Sequence, residues 1–485
     1  MSTLAKNTAF LTGASILQKI VAFVYFAILA RFLGVEDTGV YFLTLAVITS
    51  VAVFADLGVT SVLIRDVAAN RSEAKSILQK TLGVKWFAIL LAIAIAAAFP
   101  TFLGFDSSNI VLIWLAIPIM IADSLSLTFY GVLRGLEELR YESLGIFVGQ
   151  SLSSIVGLIV IFSPMKSIAL LILALATGSI WNAIFSGIQV VRRLGSQSIV
   201  PSSKNVRPVL VAAFPFFLAA VFVKIYSYVD SFTLKSVIGD SAVGLYSVAY
   251  KLTYAFQFLP LAFIGALYPR MSSLANSPVD LKKTFLDAEW YLALLMAPIV
   301  FGIAALAPEI IHTVYGVKYS GSILPLLVLI FVLIPIFFDF PVGALLNATG
   351  QQMTKTKIMG ATMIINFVAN MVLIPWIGIP GASVAAILSF TSMFGMGVWA
   401  LQRKIHVTIG EWIRTVGGFI LAGFAMMVVV LVLKSMMPWI ATVPVGAIVF
   451  IGSSIATKSL TKAHWIHAKS LILRKSYGAT PASNA

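Results

Sequence analysis

Long apolar stretches recur along almost the whole chain, and they constrain its fold more than any other feature. Stretches of mostly apolar residues follow one another from Thr8 to about residue 461. Each is close to the roughly 20 residues that a helix needs to cross a bilayer. Apolar residues make up 60% of the chain and charged residues only 11%, which leaves no ordinary polar surface for a soluble domain. The chain is therefore predicted to be an all-α integral membrane protein.

Polar breaks between the apolar stretches predict fourteen transmembrane helices. The first seven are expected at residues 8–33, 39–63, 82–104, 110–133, 143–163, 167–191 and 208–234. The second seven are expected at residues 242–268, 286–308, 322–347, 357–377, 381–402, 412–434 and 440–461. The first stretch is interrupted by Gln18 and Lys19 and is too long for a cleaved signal peptide, so it is predicted to be the first membrane helix.

The positions of the basic residues predict the orientation of these helices. Most of the 33 lysines and arginines fall in every second loop, and short cytoplasmic loops of membrane proteins are enriched in these residues. This alternation explains the net charge of +15 without nucleic acid as a partner. It predicts a multi-pass protein of the cytoplasmic membrane with both termini in the cytoplasm. The basic tail at 462–485 is either a short helix on the anionic leaflet or a solvated segment.

An internal repeat with a nearly constant offset relates the two halves of the chain. An offset of 205 residues aligns a set of matching residues, namely Gly34 with Gly239, Gly39 with Gly244, Tyr41 with Tyr246, Lys19 with Lys224 and Arg65 with Arg270. Offsets of 204 and about 216 align Trp86 with Trp290 and Asp123 with Asp339. Both copies begin on the same side of the membrane because six helices separate them. The repeats are therefore predicted to be parallel.

The repeat divides the chain into four predicted parts. Residues 1–200 and 201–405 form two pseudo-repeated six-helix lobes. Residues 406–461 add two further helices, and residues 462–485 form the basic cytoplasmic tail.

Several segments resemble one family of membrane transporters. They are LARFLGVEDTGVYFLTLAV from Leu29, DLGVTSVLIRDVA from Asp56, YSVAYKLTYAFQFLPLAFIGALYPRMSSL from Tyr246, LLNATGQ from Leu345 and IGIPGASVAAILS from Ile377. In order and spacing they resemble the polysaccharide and lipid-linked oligosaccharide flippases of the multidrug/oligosaccharidyl-lipid/polysaccharide exporter superfamily. The resemblance covers roughly residues 5–405. It implies two six-helix lobes around a central cavity, alternating access, and a polyprenyl-phosphate or diphosphate glycan as cargo.

Charged residues inside the predicted helices are the candidate site residues, because a charge near the bilayer centre costs at least about 2.5 kcal/mol. The cationic candidates, which would line a water-filled cavity and bind the cargo phosphates, are Lys19, Lys224, Lys251 and Arg31. The acidic candidates, which would couple an ion or pair with the lysines, are Asp56, Asp123, Asp230 and Asp339. Two interpretations of the lysines stay open at this point: phosphate binding in a cavity, or structural ion pairs between helices. Arg31 also fits a side chain that reaches the outer surface.

Two polar stripes favour the cavity interpretation. Helical spacing places Lys19 on one face with Ser15 and Gln18, and Lys251 with Ser247 and Tyr254. Such faces are not expected to contact lipid. Aromatic rings near them would stack on sugar faces, and the rings in question are Tyr226, Tyr228, Tyr250 and Tyr254.

Several functional signatures are missing from the sequence. There is no cysteine and no HExxH pattern, so no cofactor and no metal site are predicted. There is also no GxxxxGK[ST] loop, so ATP bound by this chain is not the energy source. The chain is predicted not to be an enzyme. Its expected partners are the lipid-linked glycan, membrane lipids and, as a further hypothesis, a glycan polymerase or glycosyltransferases.

Three functions compete at this stage. The first is a flippase that moves a polyprenyl-(di)phosphate-linked oligosaccharide from the inner to the outer leaflet for cell-surface polysaccharide synthesis. A cation-coupled multidrug exporter of the same superfamily is the alternative, but its cationic cargo would favour acidic residues over three lysines in the cavity. A membrane glycosyltransferase or polymerase would need catalytic groups in sizeable loops, and the loops here are short.

Overall fold

The computed structural model describes residues 3–102, 104–202, 206–402 and 404–460, and within these ranges the chain is almost entirely helical. The described part contains seventeen α-helices, which are α1 (Thr3–Leu33), α2 (Val35–Asp56), α3 (Val59–Ala69), α4 (Ala74–Phe102), α5 (Ser107–Gly135), α6 (Leu139–Phe162), α7 (Ile168–Leu194), α8 (Arg207–Val237), α9 (Asp240–Tyr254), α10 (Phe258–Ser273), α11 (Pro278–Val314), α12 (Ile323–Leu329), α13 (Leu333–Ala348), α14 (Gln352–Ile377), α15 (Ile379–Leu401), α16 (Ile409–Leu433) and α17 (Trp439–Ala456). The predicted tail at 462–485 lies outside the described residues.

The multi-pass membrane character is confirmed by the lengths and hydropathy of these helices. Twelve of the described segments are long and apolar enough to cross a bilayer, and a thirteenth is obtained if Asp240–Gly265 and Leu267–Ser273, which are bent by 42° relative to each other, count as one span. The count of fourteen and the division into two six-helix lobes remain predictions.

The turns before α2 and α9 explain one pair of repeated glycines. Gly34 and Gly239 precede these helices with φ of 90° and 120°. Glycine adopts this backbone region without steric cost, whereas other residues rarely do. Each glycine therefore sets the sharp turn between two antiparallel membrane helices.

Three of the predicted single helices are interrupted in the structure. The helix expected at 39–63 ends at Asp56, and α3 begins at Val59 after Leu57 and Gly58 adopt left-handed conformations. Two others are divided by 3-10 turns, at Ala255–Gln257 between α9 and α10 and at Ile330–Val332 between α12 and α13. Hydropathy missed these interruptions because the residues on either side are equally apolar.

Other helices extend beyond their apolar windows. The helix expected at 286–308 spans Pro278–Val314, and the one expected at 82–104 begins at Ala74. Polar residues such as Lys282 and Lys80 fill the added turns. As a result, Lys85, which the loop count placed on the cytoplasmic surface, lies three turns inside α4.

Ion pairs at one end of the bundle join the loops that carry basic residues, and we call this the basic end. Arg71 pairs with Glu137 at 2.7 Å, and Arg193 pairs with Glu138. The opposite end, which we call the distal end, holds the turns at Gly34 and Gly239. Helices α16 and α17 pack on each other, and both pack on α11.

A buried ion pair connects α2 to α4. The Lys85 side chain is completely buried and its Nζ lies 2.5 Å from Oδ1 of Asp56, which also accepts a hydrogen bond from Thr60. Asp56 therefore forms an ion pair between helices, but its partner is Lys85 and not one of the three candidate lysines.

Replacing Lys85 by methionine is expected to destabilise the protein by about 3–5 kcal/mol, because the Asp56 carboxylate would lose its only cation inside the bundle. Adding Asp56→Leu to Lys85→Met is expected to recover most of that loss. Thermal unfolding in detergent measures both changes, and Lys357→Met at an exposed lysine is the matched control. Equal melting temperatures for Lys85→Met and the control would contradict the structural role of the pair.

Candidate functional site

The two halves of the chain touch at the distal end through the repeated glycines. A Cβ atom on Gly39 of α2 would lie 2.0 Å from the Asp240 carbonyl oxygen, and one on Gly244 of α9 would lie 1.9 Å from the Val35 carbonyl oxygen. Only glycine allows this approach of two backbones. Gly39 and Gly244, one of the pairs that the 205-residue offset aligns, are therefore in direct contact with each other.

Hydrogen bonds between the halves reinforce this contact. The Thr38 and Tyr319 hydroxyls lie 2.8 Å apart, and the Tyr319 hydroxyl also lies 2.8 Å from the Ala30 carbonyl oxygen. Arg31 is exposed and its guanidinium donates to the Thr313 carbonyl at 2.9 Å. The distal end is closed along α2 and α9.

Lys19 and Lys251 lie together between the two halves. The Lys251 Nζ lies 5.4 Å from the ring centre of Phe26 on α1 and 5.5 Å from that of Phe42 on α2. The charge of Lys19 acts directly on Lys251, and both side chains are exposed. We call the space that they share the cationic hollow. Because Lys251 is surrounded by three helices and still exposed, this hollow admits solvent.

A cavity of about 360 Å³ adjoins the same part of α9, and we call it the aromatic cavity. Its walls combine aromatic rings with one acid and one base, and the main lining residues are Tyr226, Tyr250, Tyr254, Phe390, Asp339 and Lys355. The rings of Tyr250 and Tyr254 are 4.3 Å apart, and Tyr226 meets Phe390 edge to face at 5.7 Å.

Lys224 lies on the other side of α8. It is half-buried and is the one charged residue that lines a cavity of about 570 Å³, which we call the apolar groove. The walls of this groove come from α2, α4, α8 and α14. Within one turn of α8, Lys224 and Ile225 line the groove, and the next two residues, Tyr226 and Ser227, line the aromatic cavity. One helix thus separates the two spaces.

None of the three candidate lysines forms an ion pair with a carboxylate of the described residues. The structure brings Lys19 and Lys251 together but places Lys224 in the separate apolar groove.

The acidic candidates occupy four different environments. Asp56 is held by Lys85, as described above. Asp230 is buried and accepts a hydrogen bond from the Tyr246 hydroxyl at 2.7 Å. Asp123 is exposed beside Ser179. Asp339 faces Lys355 in the aromatic cavity without a close ion pair among the described residues.

Three charged residues of the interior were missed by the sequence analysis. Lys85 and Lys355 were both assigned to the cytoplasmic surface. Lys85 is the fourth residue of the predicted helix at 82–104, and α4 begins earlier, at Ala74; Lys355 precedes the predicted helix at 357–377 but lies inside α14. Glu289, which is completely buried in α11, was not singled out, because it lies near the start of the predicted helix at 286–308, six residues after Lys283.

Replacing Gly39 by leucine is expected to open the distal end, because its Cβ would overlap the α9 backbone. Since the chain has no cysteine, a Thr38→Cys reporter provides a unique thiol at this contact, where Thr38 is fully buried. Its labelling by a membrane-impermeant maleimide is expected to accelerate about tenfold, equivalent to roughly 1.4 kcal/mol on the opening equilibrium. Gly395→Leu is the control, because a Cβ there meets nothing within 4 Å. Equal labelling rates in the two variants would contradict the closure.

Comparison with known proteins confirms the resemblance that the sequence motifs indicated. "Probable low-salt glycan biosynthesis flippase Agl15" of Haloferax volcanii is 24% identical over 394 residues, which cover 80% of this chain and 81% of that protein. "Probable flippase AglR" of the same organism is 24% identical over 417 residues, with 84% and 85% covered.

Solved structures share the fold. The lipid II flippase MurJ in an inward closed conformation superposes with a TM-score of 0.76 at 16% identity, covering 92% of this chain and 98% of MurJ. An inward-facing multidrug resistance MATE family transporter gives a TM-score of 0.67 at 14% identity, covering 80% of this chain and 94% of the transporter. Residues 4–275, more than half of the chain, match the family described as "Polysaccharide biosynthesis protein", and the chain therefore belongs to that family.

Proposed function

We propose that this protein is a flippase for a polyprenyl-(di)phosphate-linked oligosaccharide. It would carry the glycan from the inner to the outer leaflet of the cytoplasmic membrane by alternating access, for cell-surface polysaccharide synthesis. Two relatives named as probable flippases, one of them of low-salt glycan biosynthesis, and the likeness of the fold to a lipid II flippase support this assignment.

The single observation that carries the proposal is the unpaired state of Lys19 and Lys251 in the cationic hollow. Two ammonium groups that repel each other in an apolar bundle need either water or an anion. A phosphate or diphosphate provides that anion and accepts hydrogen bonds from both ammonium groups. The empty hollow would thus be wet, and the loaded hollow would hold the cargo headgroup.

The neighbouring cavities fit the other parts of such a cargo. The adjacent rings of Tyr250 and Tyr254 would contact sugar faces in the aromatic cavity. The apolar groove would take part of the polyprenyl chain, with Lys224 beside the phosphate end. The cationic hollow, the aromatic cavity and the apolar groove would thus bind the phosphate, the sugars and the lipid chain of the cargo, respectively.

The acidic residues divide between two roles in this proposal. Asp56 and Asp230 would be structural, since each is held by a close partner. Asp123 and Asp339 would take part in ion coupling, because neither is locked by a close partner among the described residues. Arg31 would stabilise the closed distal end through the Thr313 carbonyl.

The larger architecture belongs to the same proposal. Residues 1–200 and 201–405 would form the two moving lobes, α16 and α17 would be added to the second lobe, and both termini would lie in the cytoplasm. The contact of Gly39 with Gly244 lies where two such lobes would meet. A glycan polymerase or glycosyltransferases would act before or after the flipping step.

Replacing Lys19, Lys224 and Lys251 together by alanine is expected to abolish flipping while membrane insertion stays intact, because no cation would then balance the cargo phosphate. Proteoliposomes with fluorescent polyprenyl-diphosphate sugars measure the flipping rate. The Lys→Arg triple variant keeps the charges and is expected to retain part of the activity. Lys357→Ala, at an exposed lysine, controls for loss of charge in general.

A panel of cationic drugs in the same vesicles separates the two transport functions. Normal flipping by the alanine variant would remove the phosphate-binding account. Drug efflux by the wild-type protein without glycolipid flipping would replace the proposed function by multidrug export.

A further inference from the structure

Glu289 occupies an unusual environment for a carboxyl group. It lies about 16 Å from the beginning of α11 by helical rise and its side chain is completely buried. Trp412 of α16 donates its indole N–H to Oε2 at 3.0 Å. The other oxygen, Oε1, is buried and has no hydrogen-bond partner.

No cation balances this carboxyl group among the described residues. Lys282 on the same helix is bound to Glu411 of α16 at 2.7 Å. Lys283 and Asp287 of α11 and Arg414 of α16 are exposed. From α13, the charge of Asp339 acts on Glu289 and opposes its ionisation. Helix α10 also packs on α11 and carries Tyr268 and Arg270, and the segment after α17 that accepts the Trp290 indole N–H carries Lys458; all three are exposed. Helices α12, α15 and α17 contain no titratable residue.

An ionised carboxylate in this position would carry an uncompensated charge in an apolar interior, at a cost of several kcal/mol. Binding a proton removes that charge. We propose that Glu289 is a proton-binding site that is occupied while the distal end is closed and that releases its proton when the bundle rearranges. The ligand is a proton, and the site lies outside the three cavities assigned to the glycan.

Packing provides a physical connection between this site and the aromatic cavity. The Trp412 ring meets Phe338 edge to face at 5.1 Å and Phe394 at 5.6 Å. Phe338 directly precedes Asp339, which lines the aromatic cavity. A shift of α13 that follows a change in this cavity would therefore move Trp412 and admit water to Glu289.

The effect of pH on the opening of the distal end depends on whether the closed or the open form binds the Glu289 proton more tightly. If the closed form holds the proton and the open form does not, low pH favours the closed distal end. Raising the pH then increases the open fraction. This inference does not depend on the identity of the cargo.

Infrared difference spectroscopy on the full chain in nanodiscs tests the site without a transport assay. The wild-type protein at neutral pH is expected to show the carbonyl stretch of a protonated carboxylic acid that is absent in Glu289→Gln. Asp287→Asn, two residues earlier and exposed, is expected to leave that band unchanged. Identical spectra for the wild-type protein and Glu289→Gln would overturn the proposal.

Trp412→Phe provides an independent variant that keeps the carboxyl group. Loss of the indole donor is expected to shift the frequency of the same band. If Glu289→Gln does not fold, an unshifted band in Trp412→Phe overturns the assignment.

The linkage is tested by labelling of the Thr38→Cys reporter across pH. Because maleimide reacts with the thiolate, each labelling rate is divided by that of a free thiol at the same pH. The corrected rate is expected to rise with pH in the wild-type background and in Asp287→Asn, and to lose this dependence in Glu289→Gln. A dependence that is the same in all three backgrounds would overturn the linkage. If the spectroscopic and labelling results are as expected but the protein does not flip glycolipids, the proposed function is wrong and the proton-binding site is still supported.

Discussion

A charge inside an apolar helical bundle must be paired, hydrated or neutralised, and this requirement organises the interior of the protein. The structure contains each of the three solutions. Lys85 is paired with Asp56 in a dry position. Lys19 and Lys251 are exposed and form no ion pair within the described part of the chain. Glu289 is completely buried with no cation beside it in that same part, and neutralisation by a proton is the solution proposed for it. The role proposed for each residue depends on whether its charge is paired, hydrated or neutralised.

The two halves of the chain are in contact at the distal end. The backbones of α2 and α9 meet there at Gly39 and Gly244. Helix α8 separates the aromatic cavity, which adjoins the cationic hollow, from the apolar groove. A cargo with a charged centre, a sugar part and a lipid chain meets a different surface for each part. These surfaces lie next to one another because a single helix presents two of them.

The sequence predicted much of this arrangement because its signals are local or periodic. Apolar windows located the membrane helices, and the 205-residue offset identified two glycines that turned out to touch. The cost of charge in lipid selected Lys19 and Lys251, which the structure places near each other; their role stays a prediction. The helix break at Leu57 and Gly58 was invisible, because backbone conformation there depends on the packing of neighbouring helices.

Other features of the site depend on tertiary contacts that a single sequence does not reveal. Lys355 was assigned to a loop because α14 extends past its apolar window. Lys85 was assigned to the cytoplasmic surface because it lies near the start of a predicted helix, and only the contact with Asp56 shows that it is buried. The separation of Lys224 from the other two lysines depends on which face of α8 points to which cavity.

The central claim is that Lys251 lies in a water-filled hollow, and reaction of a cysteine at its position with a charged thiosulfonate tests this most directly. The cysteine-free chain allows Lys251→Cys to be compared with Thr253→Cys, which is on the same helix and completely buried. The account predicts rapid modification at position 251 and none at 253. Equal protection of both positions would contradict it.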